Sequence, residues 1–173
     1  LEFRRVLFRS DGHAYLDFAL GDTAAMAGHA PAALTRAITA QLENGATTML
    51  PSEAAIDAAD ELRRRFGLPL WQLCLTATDA NRFVLRIARA ITKRPKILVH
   101  NWCYHGTVDE TFAIARPGGV AGAAVARPGN TGPQVDPATT TRVVEINDLA
   151  ATEAALAAGD VAAILIEPAL TNI

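Results

Sequence analysis

Thr76, Thr78 and Asp79 stand in the stretch "LTATDANRFVLRIAR", where a short apolar run ending at Leu75 turns into a helical pattern. Two hydroxyls and a carboxylate at a helix start have two chemical uses. They can cap the helix by accepting from N–H groups that no intrahelical carbonyl reaches. They can also help to hold an anion. The N-terminus favours negative charge, Ala77 is small enough to let backbone approach a phosphate, and Thr78 adds a hydroxyl donor. A second group lies in "HNWCYHG", residues 100–106. His100, Cys103 and His105 are metal-ligand types, but one strand end does not easily turn all three inward, so a buried cysteine and partnered histidines are expected and no metal site. Tyr104 has more potential, because an aromatic ring at the carboxyl end of a strand can stack on a flat ligand, although such a ring more often fills core. Gly106 allows a tight exit from that strand.

The elements that must position these groups alternate in type. "WQLCLT" reads as strand, "DANRFVLRIARAIT" as a helix with Ala80, Val84, Ile87, Ala88 and Ile91 on one stripe, and "KILVHNW" as the next strand. "VVEIN" and "VAAILIE" read as further buried strands, with the Ala-rich helix "DLAATEAALAAG" between them. Strands alternating with helices predict a mainly parallel sheet with flanking helices, and in such a sheet ligands sit beyond the carboxyl ends of the strands. Residues 115–142 break the rhythm with many Pro, Gly and Thr, including "ARPG" at 115–118 and again at 126–129, and read as an irregular excursion. Lys93 and Lys96, flanking Pro95, fall at the other end of the sheet and read as solvated charges.

Upstream, "DGHAYLDFALG" combines the turn dipeptide Asp11–Gly12 with a β-prone run through Tyr15, Leu16 and Phe18, which predicts a hairpin strand. Residues 32–43 place Leu34, Ile38 and Leu42 on one helical face, with Asn44 and Gly45 as a stop. A further helix begins after Pro51 and Ser52, carries Glu53 near its positive end and Arg63 to Arg65 in its last turn, and stops at Gly67.

The 173 residues are half hydrophobic, enough for a sizeable core in one domain or for a piece of something larger. A net charge of −2 with scattered basic residues leaves no footprint for nucleic acid, and no apolar run approaches the length of a membrane span. Cys74 and Cys103 form no C-x-x-C pair, which suits a reducing, cytoplasmic compartment. The first ten residues, "LEFRRVLFRS", back-translate to the end of a common sequencing adapter, so residues 1–10 are set aside as non-native. Without Glu2, Arg4, Arg5 and Arg9 the net charge moves from −2 to −4. With no Met at residue 11 and Thr171–Ile173 directly after an apolar strand-like run, both ends read as cuts in a longer gene.

Taken in order, "DGHAYLDF", "GHAPAAL", "LPSE", "TATDANRFVLRIARAITKRPKI", "YHG" and "EPALTN" make residues 11–173 resemble the class III pyridoxal-phosphate aminotransferases, near the glutamate-1-semialdehyde aminomutase branch. The resemblance implies an α/β fold, part of the large domain of a fold-type I pyridoxal-phosphate-dependent transferase over 56–173, with residues 11–55 an N-terminal arm or small-domain segment. It also implies pyridoxal phosphate as cofactor. In such proteins a Ser-Gly-Thr-Glu-Ala turn meets the cofactor phosphate, and here Thr76–Ala80 stand there, with Ala77 and Thr78 as the expected phosphate ligands. Ala in place of Gly restricts the backbone at that point. Tyr104 matches the ring-stacking aromatic, with His105 and Gly106 completing its motif. Glu167 matches a carboxylate that supports the cofactor site, and Asn172 a polar residue near the cofactor in the aminomutase branch.

The cofactor is an electron sink for the carbanion left when a substrate Cα proton is removed, so a protein must grip its phosphate, clamp its ring and protonate its nitrogen. The residues named supply grip and clamp. The resemblance puts the Schiff-base lysine and the ring-nitrogen aspartate beyond Ile173, so no catalytic residue is expected within this sequence. The expected activity of the whole protein is amino transfer between a small amino donor and a carbonyl acceptor, performed by a homodimer. An intramolecular aminomutase is the alternative on the same fold, slightly favoured by "TN" after "EPAL". A non-catalytic phosphate- or nucleotide-binding module is a third, against which the missing Gly-x-Gly-x-x-Gly counts for dinucleotides.

Overall fold

The computed structural model describes residues 6–8, 11–21, 24–46, 50–131 and 135–168. Two compact units divide between Pro69 and Leu70. In the first, β1 (Val6–Phe8) pairs antiparallel with β2 (Ala14–Leu16), the turn between them using Gly12 at φ +80°. The hairpin strand expected in "DGHAYLDFALG" is therefore β2, and its partner lies within residues 1–10. A three-residue ladder asks of its partner only backbone groups and β-tolerant side chains, which Val6, Leu7 and Phe8 are. Helix α1 (Ala32–Glu43) and helix α2 (Glu53–Phe66) follow as expected. Helix α2 opens on Glu53, carries Arg63, Arg64 and Arg65 in its last turn and closes on Gly67 in the left-handed region at φ +72°, the conformation that favours Gly at a helix end.

The second unit is built around three parallel strands in the order β6–β3–β7: β3 (Lys96–His100) at the centre, β6 (Thr141–Val144) on one side and β7 (Val161–Leu165) on the other. Central position and helices on both faces explain the apolar run of β3. Ile97 and Val99 point to one face, where they pack with Leu85 of helix α3 (Ala77–Thr92), Cys103, Val108 and Val143. Leu98 points to the other, against Val144, Val161 and Ala155 of helix α5 (Leu149–Ala157). Each fully buried Leu, Ile or Val among these contributes roughly 1.5–3 kcal/mol.

Two expectations need correction. The run "WQLCLT" is not a strand, for it joins no ladder among the described residues. A strand exists only beside a hydrogen-bonding neighbour, and without one Leu75 stays 95% exposed. The face of α3 turned to the sheet is also not the stripe of highest hydropathy. Leu85 is buried, whereas Val84, Ile87 and Ile91 are 52%, 55% and 76% exposed. The inward side carries Thr78, Asn81 and Arg89, which all find hydrogen-bond partners there: the Thr107 N–H donates to the Thr78 hydroxyl, and the Asn81 and Arg89 side chains donate to the His105 and Pro95 carbonyls. Groups with such partners can be buried, though Arg89 Nη2 has none among the described residues, and the apolar stripe is left facing outward.

The excursion at 115–142 is more regular than its composition suggests. Strands β4 (Ala113–Ala115) and β5 (Ala124–Ala126) form an antiparallel hairpin, followed by a short helix α4 (Pro137–Thr140). Each "ARPG" is a strand end followed by the same turn, in which the residue after Gly donates its N–H to the Arg carbonyl: Gly119 to Arg116 and Asn130 to Arg127. Gly118 and Gly129, at φ +67° and +87°, take the third turn position, where a type II turn needs positive φ.

Candidate functional site

The end of the sheet where β3 finishes also receives the start of α3, because the tight connection from α3 through Lys93 (φ +59°) sends β3 back alongside the helix. The helix start separates the two chemical uses of its polar residues. Thr76 and Asp79 make the cap. The Thr76 hydroxyl accepts from the Asp79 N–H at 3.1 Å and donates to the Asp79 carboxylate at 2.8 Å. The first backbone bond of the helix runs from the Ala80 N–H to the Thr76 carbonyl, so the Ala77 and Thr78 N–H groups precede the intrahelical ladder. Thr78 takes no part in the cap. Its oxygen accepts from the Thr107 N–H at 3.1 Å, leaving the hydroxyl proton to be donated.

The loop after β3 is tied to α3 at three points. Besides the bond from Thr107 to Thr78, Asn81 Nδ2 donates to the His105 carbonyl at 3.1 Å and an Arg82 guanidinium nitrogen donates to the Thr107 carbonyl at 2.9 Å. Gly106, at φ +75°, is where the loop presses on the helix, and a Cβ there would overlap the Thr78 hydroxyl. Tyr104 stands half exposed on the same loop, and its N–H donates to the Glu167 carboxylate at 3.1 Å. Glu167 follows β7, so the carboxyl ends of β3 and β7 and the start of α3 meet in one place.

Thr78, Tyr104 and Glu167 are thus brought together by short links, and exposed Ala77 begins the helix beside them. Asn172 lies outside the described residues. His100, Cys103 and His105 are buried. Burial pushes the Cys103 thiol up to about 11, against the opposing pull of the Arg127 charge. Burial also lowers the His105 pKa. Its ring hydrogen-bonds the Leu165 backbone, which opposes that shift, and Nε2 is buried without a partner among the described residues. At the opposite end of the sheet Lys96 is no solvated charge, since it pairs with Asp160 at 3.3 Å beside the two-pronged Arg142–Asp160 contact at 2.6 and 2.8 Å.

One participant had no signal in the sequence beyond its repeated tetrapeptide. Arg127, in the turn that follows β5, donates to the Cys103 carbonyl at 2.7 Å and lies over the Trp102 ring, 5.2 Å from its centroid. By composition it falls within the irregular excursion at 115–142.

The family profile "Aminotransferase class-III" matches residues 5–172. A glutamate-1-semialdehyde 2,1-aminomutase of Sorangium cellulosum strain So ce56 is 32% identical over 169 residues, covering 96% of this chain and 38% of that protein. Among solved structures, a glutamate-1-semialdehyde aminomutase of Pseudomonas aeruginosa PAO1 is 51% identical with a TM-score of 0.87, covering 98% of this chain and 37% of the other. A Sphaerobacter thermophilus omega-transaminase is 32% identical with a TM-score of 0.80, covering 98% and 40%. The chain therefore spans about two fifths of the length of the relatives it matches. Its parallel sheet with flanking helices is part of a fold-type I transferase. With the profile running over nearly its whole length, the chain belongs to the class-III aminotransferase family, near the glutamate-1-semialdehyde aminomutase branch.

Proposed function

We propose that the protein containing this chain is a pyridoxal-phosphate-dependent aminotransferase that moves an amino group between a small amino compound and a carbonyl compound. The observation that carries this is the junction of Thr78, Gly106, Tyr104 and Glu167 at one end of the sheet. The fit of the cofactor follows from the chemistry of these groups. The amides of Ala77 and Thr78 and the Thr78 hydroxyl proton are donors for a phosphate, and the half-exposed Tyr104 ring offers a flat face to a pyridine. Glu167 fixes the Tyr104 backbone, and Asn172, together with the lysine and ring-nitrogen aspartate of the family, completes the set in this reading. When bound, the cofactor supplies the electron sink for a deprotonated substrate carbon. The residues of this chain bind and orient it. They do not move the proton, so the 173-residue chain alone is expected to turn over no amine.

Aminomutase relatives in the comparisons favour a second reading, intramolecular amino transfer. The deciding experiment is a substrate assay with the full-length protein, since a mutase converts a single amino-carbonyl compound while a transaminase is idle without a second substrate. A full-length protein that takes up no pyridoxal phosphate would overturn both readings. The remaining parts of this proposal are a homodimer in the cytoplasm, residues 11–55 as an arm and 56–173 as the first half of the cofactor-binding domain. No helix among the described residues is long and apolar enough to cross a membrane.

A further inference from the structure

We propose that Arg127 is a positioning residue for Tyr104, and that Arg127 and Glu167 together hold the Cys103–Tyr104 peptide from its two ends. This rests on the reading above, in which Tyr104 faces the cofactor ring. The carbonyl of this one peptide accepts from the Arg127 guanidinium at 2.7 Å, and its N–H donates to the Glu167 carboxylate at 3.1 Å. The signs match the peptide dipole, with the cation at the oxygen and the anion at the N–H, and charge-assisted bonds are about twice as strong as neutral ones. With both ends fixed, the peptide plane cannot rotate, and the direction in which Tyr104 leaves the backbone is set.

The preceding residue is held by the same side chain. Trp102 sits at φ +59°, a region that side-chain-bearing residues rarely adopt, and its ring lies under the Arg127 guanidinium. Arg127 is itself presented by a closed turn. Its N–H donates to the Phe112 carbonyl at 2.9 Å, and Asn130 Nδ2 donates to that same carbonyl at 3.1 Å. Its Nε is buried with no partner among the described residues, so the guanidinium is placed for the loop rather than for its own solvation. The hairpin between β3 and β6 thereby becomes part of the cofactor platform.

The test uses the full-length enzyme with Arg127→Met, Arg127→Lys, Tyr104→Ala and the double variant Tyr104→Ala/Arg127→Met. Pyridoxal phosphate dissociation constants are read by fluorescence titration, and the circular dichroism of bound cofactor reports ring orientation. The expected result is that R127M weakens binding by about tenfold, the size of one lost charge-assisted bond, and alters the cofactor signal, while R127K stays within about twofold of the parent. Because Arg127 acts through Tyr104, adding R127M to Y104A should weaken binding by less than about twofold further. Should R127M fail to fold, Arg127→Gln takes its place; uncharged but still a donor, it should weaken binding by about threefold and alter the cofactor signal in the same direction. Unchanged affinity and signal in R127M, or a full further loss in the double variant, overturns the role of Arg127 while leaving the proposed function intact. A parent enzyme that binds no pyridoxal phosphate overturns the proposed function and this role with it.

Discussion

Thr78 and Gly106 compete for one space: a Cβ on Gly106 would overlap the Thr78 hydroxyl oxygen and approach Thr78 Cβ to 3.1 Å. Gly106→Ala therefore meets two penalties, roughly 1–2 kcal/mol for a side chain in the left-handed region and roughly 1–3 kcal/mol for overpacking. Urea unfolding should show a loss of about 2 kcal/mol or more. Thr78→Ala in the same chain removes the overlapped oxygen but not the backbone penalty, so the double variant should lose less than the sum of the singles. Simple additivity would show that the two residues do not constrain each other.

Thr76 and Thr78 should separate cap from grip. Thr76→Val removes the cap and costs about 1 kcal/mol of stability, with little change in cofactor affinity of the full-length protein. Thr78→Val costs a similar amount, because the Thr107 N–H loses its acceptor, and raises the dissociation constant for pyridoxal phosphate by about tenfold. Equal affinities in the two variants would remove Thr78 from the phosphate site.

The two cysteines should differ in reactivity. Cys103 is buried and its thiol is pushed up to about 11, whereas Cys74 is partly exposed. Since the thiolate is the nucleophile, iodoacetamide at pH 8 should label Cys74 in the native protein and reach Cys103 only after denaturant is added. Peptide mapping by mass spectrometry gives the answer directly.

Acid should weaken the far end of the sheet. The Arg142 guanidinium, with Lys96 helping against the opposing effect of burial, holds the Asp160 carboxyl below its ordinary value. A carboxyl whose folded pKa lies below its unfolded one contributes fully above the ordinary carboxylate range, and that contribution is lost as pH falls through the lowered value. Asp160→Asn should cost about 1–2 kcal/mol at neutral pH and make the acid limb of the Tm profile shallower. A steeper limb in the variant would contradict the assignment.

The outward stripe of α3 should make the chain sticky without supporting its fold. Ile87→Glu with Ile91→Lys should shift stability by no more than about 0.5 kcal/mol at either position, while lowering the binding of a hydrophobic dye and raising solubility. Unfolding of the double variant would mean that the stripe is packed.

The sequence made the parallel sheet readable because Ile97, Leu98 and Val99 are apolar on both faces and the Ala-rich helix before β7 carries a clear stop at Gly159. Thr78, Tyr104 and Glu167 could be named because local motifs hold them. Failures came where the outcome depends on distant partners. Periodicity counts apolar residues, so it chose Val84, Ile87 and Ile91 as the inner face of α3. The polar residues Thr78, Asn81 and Arg89 took that face through bonds to residues up to 29 positions away. Trp71 to Leu75 alternate like a strand, but a strand needs a neighbour that local pattern does not supply. Arg127 was invisible because its two targets, the Cys103 carbonyl and the Trp102 ring, become its neighbours only after the hairpin closes.

The two Arg-Pro-Gly turns share a backbone shape and differ in what they can tolerate. Arg116 and Val120 are exposed, and the first turn serves only to reverse the chain between β4 and β5. Lengthening the sequence between Gly118 and Val120 should therefore cost only the slow logarithmic entropy of a longer loop. The second turn sets how far the Arg127 side chain reaches, and one added residue there would swing it off the Cys103 carbonyl. For anyone grafting a peptide tag or a reporter into this protein, one copy of the tetrapeptide is a free port and the other is a fixed hinge pin, although the four letters are the same.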